Sequence, residues 1–182
     1  DVDLNYKNII KAIRTKEGYN GTIEVEPSYG KYHRDGHRNC GIVFSPKETK
    51  KHNGICPKCK KPLTIGVDYR VEELADRPEG YKPKDYTPYK TLIPLGELLA
   101  VYMKKGINTK TVMSVHDRLL KRFNSEFNVL LRTGKEELKK EIDEKLVNVL
   151  MKNREGKIKI KPGYDGIYGK PILEENKSLS DF

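Results

Sequence analysis

Cysteine and histidine are scarce in this 182-residue chain, which has three of the first and four of the second. No apolar run approaches 18 residues, so no membrane-spanning helix is expected, and these residues show no signal-peptide pattern. The motifs that announce common catalytic sites are absent too. There is no Gly-x-x-x-x-Gly-Lys-Ser/Thr phosphate loop, no Gly-x-Ser-x-Gly elbow and no His-Glu-x-x-His helix. Catalysis needs convergent groups, and the few histidines offer no complete set. Glu24 and Glu26 lie two apart on one strand face, a pattern more common on an exposed strand than at a metal. Asp165 lies in a glycine-rich turn, where Asp is expected for backbone reasons.

What cysteine and histidine there is falls in register. His37-x2-Cys40 and Cys56-x2-Cys59 are two pairs with two-residue gaps, fifteen residues apart, and they use every cysteine. A two-residue gap in a tight turn lets both side chains reach one tetrahedral ion, and two such knuckles at this separation make a zinc ribbon. Pro57 stiffens the second knuckle and Gly41 follows the first. His33 is too far from Cys40 for a knuckle and His52 falls on an expected helix, so His37 is the fourth ligand. Four protein ligands close the coordination shell, so this zinc is structural. Its binding energy is folding energy for a segment with few apolar residues of its own. An odd cysteine count consumed by a metal fits a reducing, intracellular compartment, so the expected location is cytoplasmic.

The net charge is +10 and it is clustered. Residues 31–70 hold ten Lys/Arg against three acids, and residues 104–123 hold six against one. Clustered positive charge is the footprint of a polyanion, and beside a zinc ribbon it points to nucleic acid. The loop Gly30-Lys-Tyr-His-Arg-Asp-Gly-His-Arg38 mixes cations, imidazoles and an aromatic with glycines that admit close approach, which suits phosphate contact and base stacking. Lys31, His33, Arg34, Arg38, Lys60 and Lys61 are the first candidate DNA contacts. Arg118, Lys121 and Arg122, on one side of a predicted helix, are the second.

The patterning predicts an α+β chain. Residues 5–16 carry Tyr6, Ile9, Ile10 and Ile13 at helical spacing, and Thr22–Val25 reads as a strand. Residues 28–39 are expected as loop. Ser45-Pro46-x-Glu48 starts a helix that ends at Asn53-Gly54. Residues 62–67 read as a strand and 71–75 as a short helix or turn. The Pro- and Tyr-rich stretch 77–89 reads as the boundary between two halves. Helices follow over 94–103 and from Asn108 or Thr109. A third is expected to be long, running from a capping box at Thr133-x-x-Glu136 to about Lys152 with Leu138, Ile142, Leu146 and Val149 or Leu150 as its stripe. Residues 157–161 alternate as a half-buried strand. From Pro171 onward the chain reads as a polar tail.

Four strings in this sequence resemble archaeal endonuclease Q, a PHP-family repair nuclease that nicks DNA 5′ to deaminated bases. They are Gly21-Thr-Ile-Glu, Gly30-Lys-Tyr-His-x-Asp-Gly-His-Arg-x-Cys-Gly, Gly54-Ile-Cys-Pro-x-Cys-x-Lys-x-Leu-Thr-x-Gly-Val and Arg70-Val-Glu-Glu-Leu-Ala-Asp-Arg. The run Gly156-Lys-Ile-Lys-Ile-Lys-Pro-Gly-Tyr-Asp-Gly-x-Tyr-Gly is similar to the same family. The resemblance implies a C-terminal portion: the end of a PHP-type α/β domain (1–27), a zinc-ribbon-like module (28–77), a linker (78–93), a helical DNA-binding domain with a short β-element (94–169) and a tail (170–182). The family's catalytic divalent-metal ligands lie mostly upstream of the zinc module. No Asp-x-His or His-x-His precedes His37 here, so no catalytic residue carries over. The first residue is Asp1, which reads as a processed product or a fragment. The expected function is the DNA-engaging part of an endonuclease acting on uracil- or hypoxanthine-containing DNA. The rival is a non-enzymatic zinc-ribbon adaptor for nucleic acid. Finally, Asn176-x-x-Leu179-x-x-Phe182 resembles the motif that docks on the sliding clamp PCNA. It has Asn in place of the usual Gln and lacks a second aromatic.

Overall fold

The structure is a computed structural model and describes residues 3–173. Helix α1 (Tyr6–Thr15) begins where the Asn5 side chain accepts the Asn8 N–H at 2.9 Å, and closes at Lys16 in the left-handed region. It buries Ala12 but leaves Tyr6, Ile9 and Ile13 exposed. Strand β1 (Thr22–Glu24) pairs in parallel with β4 (Tyr89–Thr91), Ile23 opposite Lys90. A parallel pair needs a crossover connection, and here the whole metal module between residues 25 and 88 is that crossover.

Within the module, β2 (Asp35–His37) and β3 (Ile42–Phe44) form an antiparallel hairpin with Gly36 opposite Val43. A 3-10 turn over Arg38–Cys40 reverses the chain, with Gly41 at φ 65. Helix α2 (Pro46–Lys51) starts from a capping box: the Ser45 hydroxyl accepts the Glu48 N–H while the Glu48 carboxylate accepts the Ser45 N–H at 2.8 Å. Helix α3 spans Val67–Leu74. Its polar side is tied down by Asp68 to Arg34 at 2.9 Å and by Glu72 to Lys50 at 3.1 Å.

The apolar core lies in the C-terminal half. Helices α4 (Leu95–Tyr102), α5 (Lys110–Phe123), α6 (Lys135–Leu138) and α7 (Glu144–Arg154), with a π-helical turn over Asn128–Arg132, bury Leu95, Leu98, Leu119, Leu130, Leu138 and Leu150 almost completely. Two polar side chains stitch this core. The buried amide of Asn153 accepts the Ile93 N–H at 2.9 Å and donates to the Ile93 carbonyl at 3.0 Å. Arg154 donates to the carbonyls of Leu130, Val129 and Thr133, closing the end of the π-helical turn. Strands β5 (Lys159–Lys161) and β6 (Lys170–Ile172) pair antiparallel and finish the described chain.

The fold is α+β as the patterning implies, and five local expectations are corrected. The long helix is two. Thr133 does not cap: its hydroxyl donates to the Asn128 carbonyl, Gly134 takes the N-cap position, α6 stops at Leu138, and Asp143 caps α7 by accepting the Leu146 N–H at 3.0 Å. The expected stripe is nonetheless buried throughout. Residues 62–67 make only two isolated bridges, and Val67 already belongs to α3. The loop expected over 28–39 contains β2. The linker expected over 78–93 contains β4. The tail expected from 170 starts with β6, whose Pro171 is buried. Asn176, Leu179 and Phe182 lie outside the described residues.

Candidate metal centre and nucleic-acid face

The two knuckles meet. His37 ends β2, Cys40 ends the 3-10 turn, and Cys56 and Cys59 sit in a tight reversal closed by Lys60 N–H to the Cys56 carbonyl at 2.9 Å and Cys56 N–H to the Lys61 carbonyl at 2.8 Å. Lys60 adopts φ 62 to make that turn. The Lys58 ammonium donates to the Cys40 carbonyl at 2.8 Å and ties one knuckle to the other. One ligand atom from each of His37, Cys40, Cys56 and Cys59 lies within 4.8 Å of all the others, and Cys59 Sγ is 3.4 Å from His37 Nδ1. Metal–ligand bonds of about 2.0–2.3 Å in a tetrahedron separate neighbouring donors by about 3.3–3.8 Å. The cluster therefore fits a single ion after closing by a fraction of an ångström to an ångström. Three thiols and an imidazole are soft and borderline donors that do not suit magnesium or calcium.

Without an ion the thiols differ. Burial raises the Cys40 thiol, aided by hydrogen bonds with Cys59 and Cys56, to about 11. Burial acts the same way on Cys56, but the N–H groups of Cys59 and Lys58 outweigh it and bring that thiol down to about 6. Loading the site must displace the protons these thiols still carry, and the raised Cys40 thiol holds its proton more firmly than Cys56. The alternative histidines are placed elsewhere: His52 stacks on Phe44 at 4.8 Å between ring centroids. His33 is half-buried, and burial lowers its pKa.

The face beside this cluster is built from two loops distant in sequence. Residues 28–38 are held by the glycine-rich turn 163–169 through Gly163 N–H to Ser28 carbonyl (2.8 Å), Arg34 N–H to Gly163 carbonyl (2.9 Å), Gly166 N–H to Lys31 carbonyl (2.9 Å) and Gly169 N–H to Tyr29 carbonyl (3.0 Å). A Cβ on Gly163 would meet the Gly30 carbonyl oxygen at 2.4 Å, so this contact requires glycine. Asp165, at φ 42, accepts the Arg38 N–H at 2.6 Å and the Thr64 hydroxyl at 2.6 Å. Burial pushes the Asp165 carboxyl up, but these two donors and the charges of Arg38 and His37 hold it below the usual aspartate range. The turn carries Tyr168 to the surface opposite Tyr32, and the Lys31 ammonium lies 5.5 Å from one ring centroid and 5.8 Å from the other. Both rings are exposed, Tyr168 by 63 %.

The candidate DNA contacts therefore divide. Lys31, Arg38, Lys60 and Lys61 are exposed within the metal module, and none is in an ion pair among the described residues. Arg34 is engaged with Asp68. On α5, Arg118 donates to the Glu141 carbonyl at 2.8 Å and Arg122 pairs with the Glu141 carboxylate at 3.3 Å, so both hold the turn between α6 and α7. Lys121 is exposed. Sequence reasoning missed Tyr32 and Tyr168 as a pair and the role of Asp165. The alternation of Gly and Tyr over 163–169 was the available signal.

Comparisons with known proteins place this geometry. The family model described as the MJ0043 C-terminal domain fits residues 94–157. The chain is 37 % identical to the uncharacterised protein MJ0043 of Methanocaldococcus jannaschii over 176 residues, covering 97 % of this chain and 22 % of that protein. It is 32 % identical to the uncharacterised protein YqxK of Bacillus subtilis over 147 residues, covering 80 % of this chain and 34 % of that protein. Among solved structures it resembles the lesion-specific endonuclease PfuEndoQ from Pyrococcus furiosus, with TM-score 0.83, 31 % identity, and coverage of 99 % of this chain and 46 % of that one. It also resembles an endonuclease Q complex with a 27-mer duplex substrate bearing an abasic lesion at the active site, with TM-score 0.80, 31 % identity, and coverage of 100 % and 46 %. The resemblance to endonuclease Q read from the motifs holds in three dimensions across nearly the whole chain. The chain spans less than half the length of each of these relatives.

Proposed function

We propose that this endonuclease Q-like chain is the zinc-binding, DNA-engaging portion of a repair endonuclease that nicks 5′ to deaminated bases, uracil or hypoxanthine. One observation carries the reading. The module that gathers one histidine and three cysteines also carries exposed cations and Tyr32, and the 163–169 turn seated on it by backbone bonds adds Tyr168 beside Lys31, in a fold similar to that of an endonuclease Q bound to duplex DNA. Zinc is the ion that suits the donor set, and it supplies folding energy to the module. His37, Cys40, Cys56 and Cys59 hold it. Lys31, Arg38, Lys60 and Lys61 neutralise phosphates, and Tyr32 and Tyr168 offer stacking faces beside a base drawn out of its helix. Cleavage requires divalent-metal ligands that this reading assigns to protein outside residues 1–182. Asn176, Leu179 and Phe182 are assigned to docking on the clamp PCNA.

The test is fluorescence anisotropy of the 182-residue chain on matched duplexes carrying deoxyuridine, deoxyinosine or thymidine, with a nicking assay alongside. Salt-sensitive binding that favours a deaminated base, without cleavage, is the expected result. Binding with no preference would return the reading to a nucleic-acid adaptor, and metal-dependent nicking by this chain alone would refute the division of labour.

A further inference from the structure

Away from the metal cluster, a groove of about 680 Å³ runs between the ends of α4 and β6 and the length of α7. Five lysines rim it: Lys104, Lys145, Lys152, Lys161 and Lys170. All five are exposed, and among the described residues none of their ammonium groups has an ion pair or a hydrogen bond. Four lysines elsewhere are paired instead. Lys11 reaches Glu17, Lys50 reaches Glu72, Lys139 reaches two glutamates and Lys157 reaches Glu155.

The arrangement is self-repelling by design of the backbone. Lys161 and Lys170 are direct cross-strand partners in the β5–β6 ladder, and like charges placed directly opposite destabilise a strand pair. Lys145 and Lys152 are seven apart on α7, so they share one face about 10.5 Å apart along the axis. A single phosphate cannot span that distance. A strand of DNA, with a charge about every 3.4 Å of rise, can.

The groove is also joined to the face described above. Lys161 and Lys170 stand just outside Gly163 and Gly169, the two glycines whose backbone bonds fix the turn on residues 28–34. The β5–β6 hairpin therefore places Lys161 and Lys170 between the turn seated on residues 28–34 and the α7 lysines that line the same groove. Floor side chains such as Tyr102, Val149 and Ile172 leave the groove apolar between its charged rims, which suits the sugar edge of a backbone.

We infer that this lysine-rimmed groove binds the phosphate backbone of the DNA on which the metal module sits. This rests on the DNA reading above and extends it to a second contact surface, one that includes none of Arg118, Lys121 or Arg122.

The experiment measures binding of the 182-residue chain to a duplex of about 25–30 base pairs, with the salt concentration varied, for wild type and for Lys145→Gln/Lys152→Gln/Lys170→Gln. Three lost phosphate contacts lower the slope of log K against log salt by about 2.7, so the fall in affinity between 50 and 200 mM salt becomes about forty-fold smaller. Lys139→Gln, which removes a lysine already paired with glutamates, is the control and keeps the wild-type slope. Melting curves of each variant show that the fold is retained. If wild type binds DNA and the triple variant has the same affinity and slope, the groove is not a DNA surface, while the wider reading stands. If wild type does not bind DNA, both fall. If the triple variant loses binding of a polyglutamate peptide but keeps that of DNA, the groove takes an acidic peptide and the inference is overturned.

Discussion

Asp165 is the point at which the C-terminal turn grips the metal module, so replacing it separates local geometry from chemistry. Its carboxylate takes the Arg38 N–H and the Thr64 hydroxyl, both at 2.6 Å, across 127 and 101 residues of chain. Hydrogen bonds to a charged group contribute about 1.5–3 kcal/mol when shielded. Asp165 is only half-buried, and about 1 kcal/mol each is the proper scale after solvent screening. The residue also sits at φ 42, where an alanine costs about 1–2 kcal/mol more than a glycine. Asp165→Ala should therefore cost about 3–4 kcal/mol, Asp165→Gly about 2, and Asp165→Asn about 1, because Asn tolerates the left-handed region and keeps one acceptor. The Ala-minus-Gly difference isolates the backbone and the Gly-minus-Asn difference isolates the lost acceptor. The assay is native-state amide exchange, since a local opening is read residue by residue. Arg38 N–H should lose protection in the order Asn, Gly, Ala, while amides of α7 stay unchanged. An alanine variant within about 0.5 kcal/mol of wild type at Arg38 would show that the two loops hold together without this carboxylate, and the account of the composite face would fail.

Three further outcomes are expected. Purified chain should carry one zinc; chelation should release the 35–66 region to rapid exchange and proteolysis while α4, α5 and α7 keep their helical signal, and less than about half a zinc per chain would count against the assignment. Asp143→Ala should destabilise by about 1 kcal/mol through loss of the α7 cap and of the Tyr102 hydroxyl bond at 2.6 Å. Burial pushes the Asp143 carboxyl up, but Tyr102 and the N–H groups of Leu146 and Lys145 outweigh it and hold it low. The wild-type advantage is therefore complete above the unfolded aspartate pKa of about 4, and it disappears as pH falls through the lower folded value; an advantage that persists well below that range refutes the assignment. A peptide of residues 170–182 should bind the cognate sliding clamp weakly, and Leu179→Ala/Phe182→Ala should abolish it; equal behaviour of the two peptides makes the motif a coincidence.

What the sequence disclosed follows the range over which each signal acts. The Ser45 capping box, the helical spacing of Tyr6, Ile9 and Ile13 in α1 and the two knuckles are set by residues within four of one another, and each was legible. The helical stripe over 138–150 was legible as burial and misleading as continuity. Leu138, Ile142, Leu146 and Leu150 recur every four residues whether one helix or two carries them, because both segments pack on the same core. The break comes from the Thr133 hydroxyl turning back to the Asn128 carbonyl and from Asp143 capping forward, two competing local bonds that a Thr-x-x-Glu pattern does not distinguish. Strands β4 and β6 were lost for another reason. Each has three residues and exists only through a partner far along the chain or across a turn, β4 with β1 sixty-seven residues away. The same distance hid the candidate face. Nothing local to Gly30–Arg38 indicates that Tyr168 completes it, and nothing local to Lys161 or Lys170 indicates that they stand opposite each other. Those facts arise when the 163–169 turn is seated by backbone bonds that only glycine permits at Gly163 and Gly169. A substitution at either glycine should thus disturb the aromatic pair and the lysine rim together, which makes the turn the joint between the two halves.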